Sequence, residues 1–583
     1  MNRNQRRLAH KKNKQASGGR KALSSITAQK LFNDALQAFQ QGSLKDASHK
    51  ADQLIASIPD SAQLYQLRGM IEFNQKNFSE AAEYYQKGLS AEPNSAALCD
   101  LLGTALSELG QFDDAISSYR RALLNDTRNA GTLNNLGMVL QKKEDWEKSE
   151  KAFRDSLIYR PGDLTTQLNL AEVLVLQQKF EDAEVIYRAL IVADDQFIDG
   201  YRMLCECLLS DRNWEGALLI ADDAISAGIQ DSEIFTLKGF ALGAMLRLDE
   251  AEATVIRALK LDNDNSQARM VLSTLCFYQE KWPRAWKNYE GRWGMANHQS
   301  RRPFTHALWR GEALIGKKIL IWGEQGIGDE VLYATMIMDV LALGADVTFE
   351  TDARLVPIFE RSISQIKCVP RSTPPDTELL NIEFDFQIPI ASLGQYLRND
   401  EASFGDGASF LHSDKKKTQE LRQKYKFGDD LVVGIAWFSS DGRGLSKSMS
   451  LMDLKPLFEV PGVQFVDLQY GNRALEREAF QKTTGFNLIH DNDIDQMQSL
   501  DDFAAQIAAL DLVISISNTT VHMAGALGIQ TWVLLGAAPM QRWLMDRTDS
   551  PWYTCVELMR KRTEDDTPYA VEAVKNRLQN FKI

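Results

Sequence analysis

Cysteine and histidine are scarce in this chain, six and seven among 583 residues. Cys99, Cys205, Cys207, Cys276, Cys368 and Cys555 are scattered without metal-ligand spacing. That pattern excludes a disulfide framework and a Cys/His metal centre, and reads as small buried hydrophobes in a reducing compartment. No apolar run is long enough to span a bilayer, so no membrane span is expected. The N-terminus has no acid through Lys21, only Arg3, Arg6, Arg7, Lys11, Lys12, Lys14, Arg20 and Lys21. No apolar stretch follows to make a secretory signal, so residues 1–27 are expected to be a solvated basic tail and the location cytoplasmic. Overall the net charge is −13, which argues against a nucleic acid partner. The length exceeds what one hydrophobic core supports, so several domains are expected.

What the chain does have is a period. Ala47, Ala81, Ala115, Ala183, Ala217, Ala251 and Ala285 fall on one 34-residue grid, and Ser149 fills its only gap. Gly69, Gly103, Gly137 and Gly239 precede the small residue by twelve, while Tyr85, Tyr119, Phe153, Tyr187 and Tyr289 follow it by four. Pro59, Pro93 and Pro161 fall twelve after it, where a second helix stops. A 34-residue period of helix pairs is the signature of tetratricopeptide repeats, whose units bury their apolar faces only by stacking. The expectation is an α solenoid of about eight repeats over 28–295, with a surface suited to a polypeptide partner.

From 296 to 313 the helical period is lost, predicting a connector. Ile319 to Trp322 then reads as a buried strand, followed by Gly323-Glu324-Gln325-Gly326-Ile327-Gly328-Asp329, a helix over Val331 to Leu343, and a strand over Val347 to Glu350. A second series has strands at Leu431 to Trp437, Val463 to Leu468, Leu512 to Ile516 and Thr531 to Leu535, with helices at Phe503 to Leu510 and His522 to Leu527. The charged stretch Lys415–Lys426 reads as a helix linking the two series. The prediction is an α/β module of two Rossmann-like domains facing a cleft, at 314–412 and 428–550, closed by 551–583.

A glycine turn entering a helix gathers bare N–H groups at the positive end of the helix dipole, which suits a phosphate or an oxyanion. Gly326-x-Gly328 lacks the full G-x-G-x-x-G fingerprint, and no acid is read at the end of the next strand as a ribose partner. Both points disfavour a nicotinamide oxidoreductase. A tight turn accounts for these glycines too. Ser515 to Gly528 is the stronger segment: Ser517, Asn518, Thr519 and Thr520 deliver four polar residues to a helix start. Capping needs only one of them. His522 on the first turn is either a donor to a phosphate oxygen or a packed core histidine. Asp491-x-Asp493-x-Asp495 is read as a solvated acidic loop rather than a metal site.

Leu308-Trp309-Arg310-Gly311-Glu312, Trp322 to Asp329, Gly434 to Trp437, Leu468 to Gly471, Asn518 to Gly528 and Trp543 to Trp552 form an ordered set. Over residues 308–555 the chain resembles the heptosyltransferase-like sugar-transfer module, of GT-B fold, that some bacterial proteins carry behind tetratricopeptide repeats. The whole resembles the repeat-bearing flagellin glycosyltransferases and is similar to O-GlcNAc transferases in joining repeats to GT-B. The resemblance implies a nucleotide-sugar donor held by the second domain, with no cofactor and no metal. It implies Asp329 as the base; read by itself, that residue is as well a helix N-terminal acid stabilised by the dipole, and Glu324 and Glu330 stand nearby as rivals. Gln325, Gly326 and Gly328 form the glycine loop. Lys447 stands where that family binds phosphate. Gln469, Tyr470 and Gly471 lie at a strand end suited to the nucleoside, and Ser517 replaces the family's aspartate, which argues against ADP-heptose. His522, Ser517, Asn518, Thr519 and Thr520 complete the donor side. The implied acceptor is a protein bound by the repeats, flagellin favoured. The alternative is a non-catalytic adaptor with a degenerate transferase-like domain.

Overall fold

The computed structural model describes residues 25–581 apart from 297, 299, 440–446, 537–538 and 562–565. The chain divides into two compact units, one ending at Ala227 and one beginning at Gly228.

The first unit is six helix pairs: Ser25–Gln40 with Leu44–Ser57, Ala62–Asn74 with Phe78–Ala91, Ala96–Glu108 with Phe112–Asn125, Ala130–Lys142 with Trp146–Tyr159, Leu164–Leu176 with Phe180–Ala193, and Ile198–Ser210 with Trp214–Ser226. The first helix starts at Ser25, ahead of the expected boundary at 28. Ala28 supplies the reason, since it packs with Leu54 and Leu64 of the pair beside it. Of the basic tail, residues 1–24 lie outside the described residues.

Sterics explain the period. A Cβ on Gly69 would stand 2.4 Å from the Tyr85 ring, and one on Gly137 would stand 2.5 Å from Phe153. Ala47, Ala81, Ala115 and Ala183 are wholly buried, as is Ser149, whose hydroxyl donates to the Gly137 carbonyl at 2.8 Å. The serine therefore fits the alanine position by giving its one polar group a partner.

A second 34-residue series appears only in the backbone. Gly42, Lys76, Gly110, Glu144, Gln178, Arg212, Leu246 and Glu280 all have φ between 55° and 76°. Each sits in the tight turn inside a helix pair, where a left-handed residue reverses the chain.

The second unit opens on two further pairs, Ser232–Ala244 with Leu248–Leu261 and Ser266–Tyr278 with Trp282–Tyr289, and a 3₁₀ turn at Glu290–Gly294. Among the described residues of 296–313 there is no helix. Leu308 bridges to Gln387, and the Trp309 amide donates to the Gln387 carbonyl. Strands β1 (Lys318–Trp322), β2 (Asp346–Thr351), β3 (Lys367–Pro370) and β4 (Phe386–Pro389) then form one parallel sheet of order β3-β2-β1-β4. Strands β5 (Leu431–Ala436), β6 (Val463–Asp467), β7 (Leu512–Ile516), β8 (Thr531–Leu535) and β9 (Val556–Arg560) form a second, of order β6-β5-β7-β8-β9, also parallel throughout. Strand order reverses between β1 and β4 and between β5 and β7. In such sheets the crevice beyond the carboxyl ends at the reversal is where ligands sit.

Three expectations need correction. The second sheet does not end at 550: β9 pairs along β8, and helix Thr567–Gln579 buries Ala570, Val571, Val574 and Leu578 against Val433, Ile435 and Trp532. Lys415–Tyr425 is a helix but belongs to that domain, because Arg422 ion-pairs with Asp511 and the Tyr425 hydroxyl donates to Asp491. The single helix over Val331 to Leu343 begins earlier and is broken into Ile327–Ala334 and Ile337–Ala342. Thr335 donates its hydroxyl to the Leu332 carbonyl at 2.8 Å, a contact that competes with the helical ladder.

Candidate functional site

The carboxyl end of β1 carries the glycine turn, and the reversal point beside it is filled from within the chain. Arg292, on the 3₁₀ turn that ends the last repeat, reaches Glu324 with two bonds of 2.9 and 2.7 Å and reaches Ser392 at 2.8 Å. Glu324 is wholly buried and also accepts from the Ala391 amide at 3.3 Å. Gln325, at φ 65°, turns its side chain to the Tyr289 hydroxyl at 3.0 Å. Glu330 is wholly buried under Gly323, ion-paired with Arg371 at 2.6 Å and bonded by the Thr351 hydroxyl and the Asp352 amide. Burial pushes its carboxyl up, against the pull of Arg371. Glu324 and Glu330, the rival bases, are thus buried and engaged by other side chains, and Asp329 is the turn's remaining acid. An acid does lie near the end of β2, contrary to the reading of that strand, but Glu350 is buried and bonded at 2.9 Å to Arg302.

Helix Ile327–Ala334 packs against helix Thr519–Leu527, which begins at the carboxyl end of β7. Gly328 is the closest approach: a Cβ there would stand 3.1 Å from His522 Cδ2 and 3.3 Å from Thr519 Cα. Beside it Asp329 Oδ1 lies 2.7 Å from an Nη of Arg542, and the other Nη lies 3.1 Å from His522 Nε2. The side chain of Arg542 is 9% exposed and that of Asp329 19%. The His522 ring is buried and lies parallel to the indole of Trp543, centroids 5.4 Å apart. Burial, with the charges of Arg542 and Lys447, holds the imidazole well below its usual 6.5, so it is neutral. A neutral ring accepting at Nε2 carries its proton on Nδ1, and that nitrogen is buried with no protein partner among the described residues. This rules out His522 as a cationic acid and leaves it one N–H to donate.

Around this point the structure gathers most of the polar segment. Asn518 caps the helix, accepting from the Thr520 amide at 3.1 Å and the Ser515 hydroxyl at 3.0 Å. Ser517 accepts from the Trp543 indole at 2.8 Å. Lys447 Nζ and Ser517 Oγ both approach the Met540 sulfur, at 3.9 and 4.0 Å. Thr520 is wholly buried, and Thr519 faces Gly328. Gly326 caps the glycine-turn helix, and its amide lies 3.4 Å from Asp329 Oδ2.

Gln469 does not join them as a residue that reads the nucleoside. The Gln469 carboxamide accepts from the Trp437 and Phe438 amides at 3.0 and 2.7 Å and donates to the Phe438 and Tyr470 carbonyls. It fastens the end of β6 to the loop after β5, which leaves no capacity for a ligand. The Tyr470 hydroxyl lies 3.5 Å from Ser439, and Gly471 has φ 81° with open space on its Cβ side. Asp491 and Asp493 bind Lys424 at 2.7 and 2.8 Å, so the first two acids of the run anchor a helix. Among the described residues no three His, Cys, Asp or Glu side chains are grouped to hold a metal ion.

Arg292 and Arg542 escaped the sequence reading. Both are single basic residues next to tryptophan, Arg292-Trp293 and Arg542-Trp543, in otherwise mixed segments. That adjacency is their only local mark.

A protein of Caulobacter vibrioides named Protein FlbA is 29% identical over 364 residues, which are 58% of this chain and 60% of that protein. The match therefore spans about three-fifths of that relative's length. Two solved structures are similar in part. A tetratricopeptide repeat protein from Parabacteroides merdae has 16% identity and TM-score 0.33, covering 42% of this chain and 97% of its own. The C-terminal part of a repeat-containing protein from Cytophaga hutchinsonii has 17% identity and TM-score 0.37, covering 41% and 99%. No helix among the described residues is long and apolar enough to cross a membrane. Residues 62–95, 98–130 and 134–196 match the tetratricopeptide repeat family, so the helix pairs between Ala62 and Ala193 are repeats of that kind.

Proposed function

We propose that the second unit is a GT-B glycosyltransferase that moves a sugar from a nucleotide-sugar donor to a hydroxyl of a protein acceptor, with Ser or Thr of flagellin favoured. The observation that carries this reading is Asp329, delivered by the first parallel sheet to within one guanidinium of the polar helix start of the second. In that arrangement the Asp329 carboxylate takes the proton of the acceptor hydroxyl as its oxygen bonds to the anomeric carbon. General bases of this kind contribute about 10²–10⁴ in rate. The bond from that carbon to the donor phosphate breaks, and its electron pair leaves with the nucleotide. The charge that develops there falls to the N–H groups at the start of helix Thr519–Leu527, to Lys447 and to the Nδ1–H of His522. The repeats of the first unit recruit the acceptor. In support, Leu124, Ile158 and Val192 lie 34 residues apart at one position of three successive second helices, 80%, 70% and 87% exposed.

A specific observation favours the second reading, an adaptor without turnover. Gly328 is pressed against Thr519, and Asp329 already has Arg542 as its partner, so the seam between the sheets is closed.

The test is to incubate the full chain with flagellin and UDP-, GDP-, ADP- and CMP-linked sugars and read the acceptor's intact mass, beside thermal shifts with the free nucleotides. A nucleotide at 100 times its Kd adds about 2.7 kcal/mol to the folded form. A sugar-sized mass gain that is lost in Asp329→Asn supports transfer. No gain and no shift from any nucleotide leaves the adaptor.

A further inference from the structure

We infer that Arg542 is the positioning residue of this site: one guanidinium orients both Asp329 and His522 across the seam and thereby sets which imidazole nitrogen carries the proton. The inference rests on reading the seam as a transfer site, but its geometry stands apart from that reading. The three residues come from three places, the glycine-turn helix, the helix after β7 and the segment after β8. Arg542 lies 2.7 Å from Asp329 Oδ1 through one Nη and 3.1 Å from His522 Nε2 through the other. A guanidinium has donors only, so His522 Nε2 has to accept, and the imidazole proton is driven to Nδ1. The planar guanidinium meets both partners at once, His522 in a hydrogen bond and Asp329 in an ion pair, which a lysine ammonium at the end of a flexible stem does less rigidly.

The charged and titratable groups described around the pair are consistent with this arrangement. Lys447 adds positive charge beside His522. Tyr553, from the strand-connecting segment before β9, stands 6.1 Å from the His522 ring. Tyr333 and Tyr289, which share a hydrogen bond at 3.1 Å, lie within the field of Arg542. Burial and the Asp329 carboxylate push both phenols up, so they stay neutral. Asp329 is thus the one acid among these neighbours that balances Arg542.

A residue that only fills space would leave the tautomer alone, so the tautomer is the readout. Full-length protein carrying ¹⁵N-histidine is compared as wild type, Arg542→Lys, Arg542→Met and the charge-neutral double variant Asp329→Asn with Arg542→Met. His522 is assigned by its loss in His522→Gln. Wild type is expected to show the Nδ1–H form alone, Arg542→Lys to keep most of it, and Arg542→Met to show both forms. If the single variant fails to fold, the double variant, which strands no charge, decides. An unchanged tautomer in a folded Arg542→Met or double variant overturns the inference. Where wild type transfers sugar, kcat of Arg542→Met should fall about 10²-fold, as for a displaced catalytic group, and recover in part with added guanidinium. Absence of turnover in wild type counts against glycosyl transfer, while the tautomer still decides the role of Arg542.

Discussion

Gly328 meets Thr519 so closely that a methyl group on the glycine would stand 3.3 Å from the Thr519 Cα and 3.1 Å from His522. Backbone and a buried ring have little room to yield. Gly328→Ala should therefore open the seam by a few tenths of an ångström with a small loss of stability. Gly328→Val should cost about 1–3 kcal/mol, as overpacked cores do. Urea unfolding of the α/β transition measures both. The next residue is Asp329, so the proposed transfer should fall more steeply than stability in the alanine variant. Equal losses in the two would mean that the close approach serves packing alone.

His522 gives stability a pH dependence with a definite sign. Its folded pKa lies well below 6.5, the value it regains on unfolding. Below about pH 6.5 the unfolded chain binds a proton that the folded one refuses, so this group lowers stability as pH falls. The effect is absent above that range and grows by about 1.4 kcal/mol per pH unit while only the unfolded form is protonated. His522→Gln should remove about half a proton from the uptake on unfolding at pH 6.5, rising to about nine-tenths at pH 5.5. An unchanged uptake would place the acid sensitivity elsewhere, though not in Glu330 or Glu350, whose burial-raised carboxyls release protons on unfolding rather than take them up.

The repeats were legible because their constraint is local and periodic. Gly69 must admit Tyr85, and the next two pairs repeat that problem 34 residues on, at Gly103 with Tyr119 and Gly137 with Phe153. The turn residues were illegible although they obey the same period, since six of the eight are not glycine and nothing in Lys76 or Leu246 announces φ above 50°. In the α/β half six of the nine strands were visible as buried runs, the short β3 and β4 and the late β9 were not, and partners were not either. Gln469 at a strand end reads like a ligand residue, and only the folded chain shows four backbone partners for its amide. Asp329 was found through its glycine turn. Arg542 lies 213 positions further on, and a pairing at that distance leaves no pattern in a single sequence.

Leu246 offers a stabilising change. It is a γ-branched residue at φ 58° in the turn where Gly42 and Gly110 stand in other repeats. A left-handed residue with a side chain costs about 1–2 kcal/mol, while glycine adds up to about 1 kcal/mol of unfolded-state entropy. Leu246→Gly should raise stability by about 0.5 kcal/mol, and Gly110→Leu should lower it by more. Thermal denaturation of the two variants checks the pair, and a destabilised Leu246→Gly would show that the 41% exposed leucine side chain contributes packing that outweighs the strain.

Leu124, Ile158 and Val192 test where the proposed acceptor binds. Their side chains stand in solvent, so replacing them removes little that holds the repeats together, within about 0.5 kcal/mol each. Each is preceded one helical turn earlier by an arginine, Arg120, Arg154 and Arg188, which sets a basic column beside the apolar one. Arg154 and Arg188 are held by Glu150 and Glu184 on their own helices. Arg120 is exposed and open to an acidic group on the partner. The combined variant Leu124→Ser, Ile158→Ser, Val192→Ser should keep its melting temperature within a few degrees. It should weaken flagellin binding at least tenfold by calorimetry, the scale expected when the centre of an interface loses its anchors. Unchanged affinity in the folded triple variant would move the acceptor to another face of the repeats, and Arg120→Glu then separates the two columns: loss of binding there alone would mean that charge rather than apolar contact holds the partner.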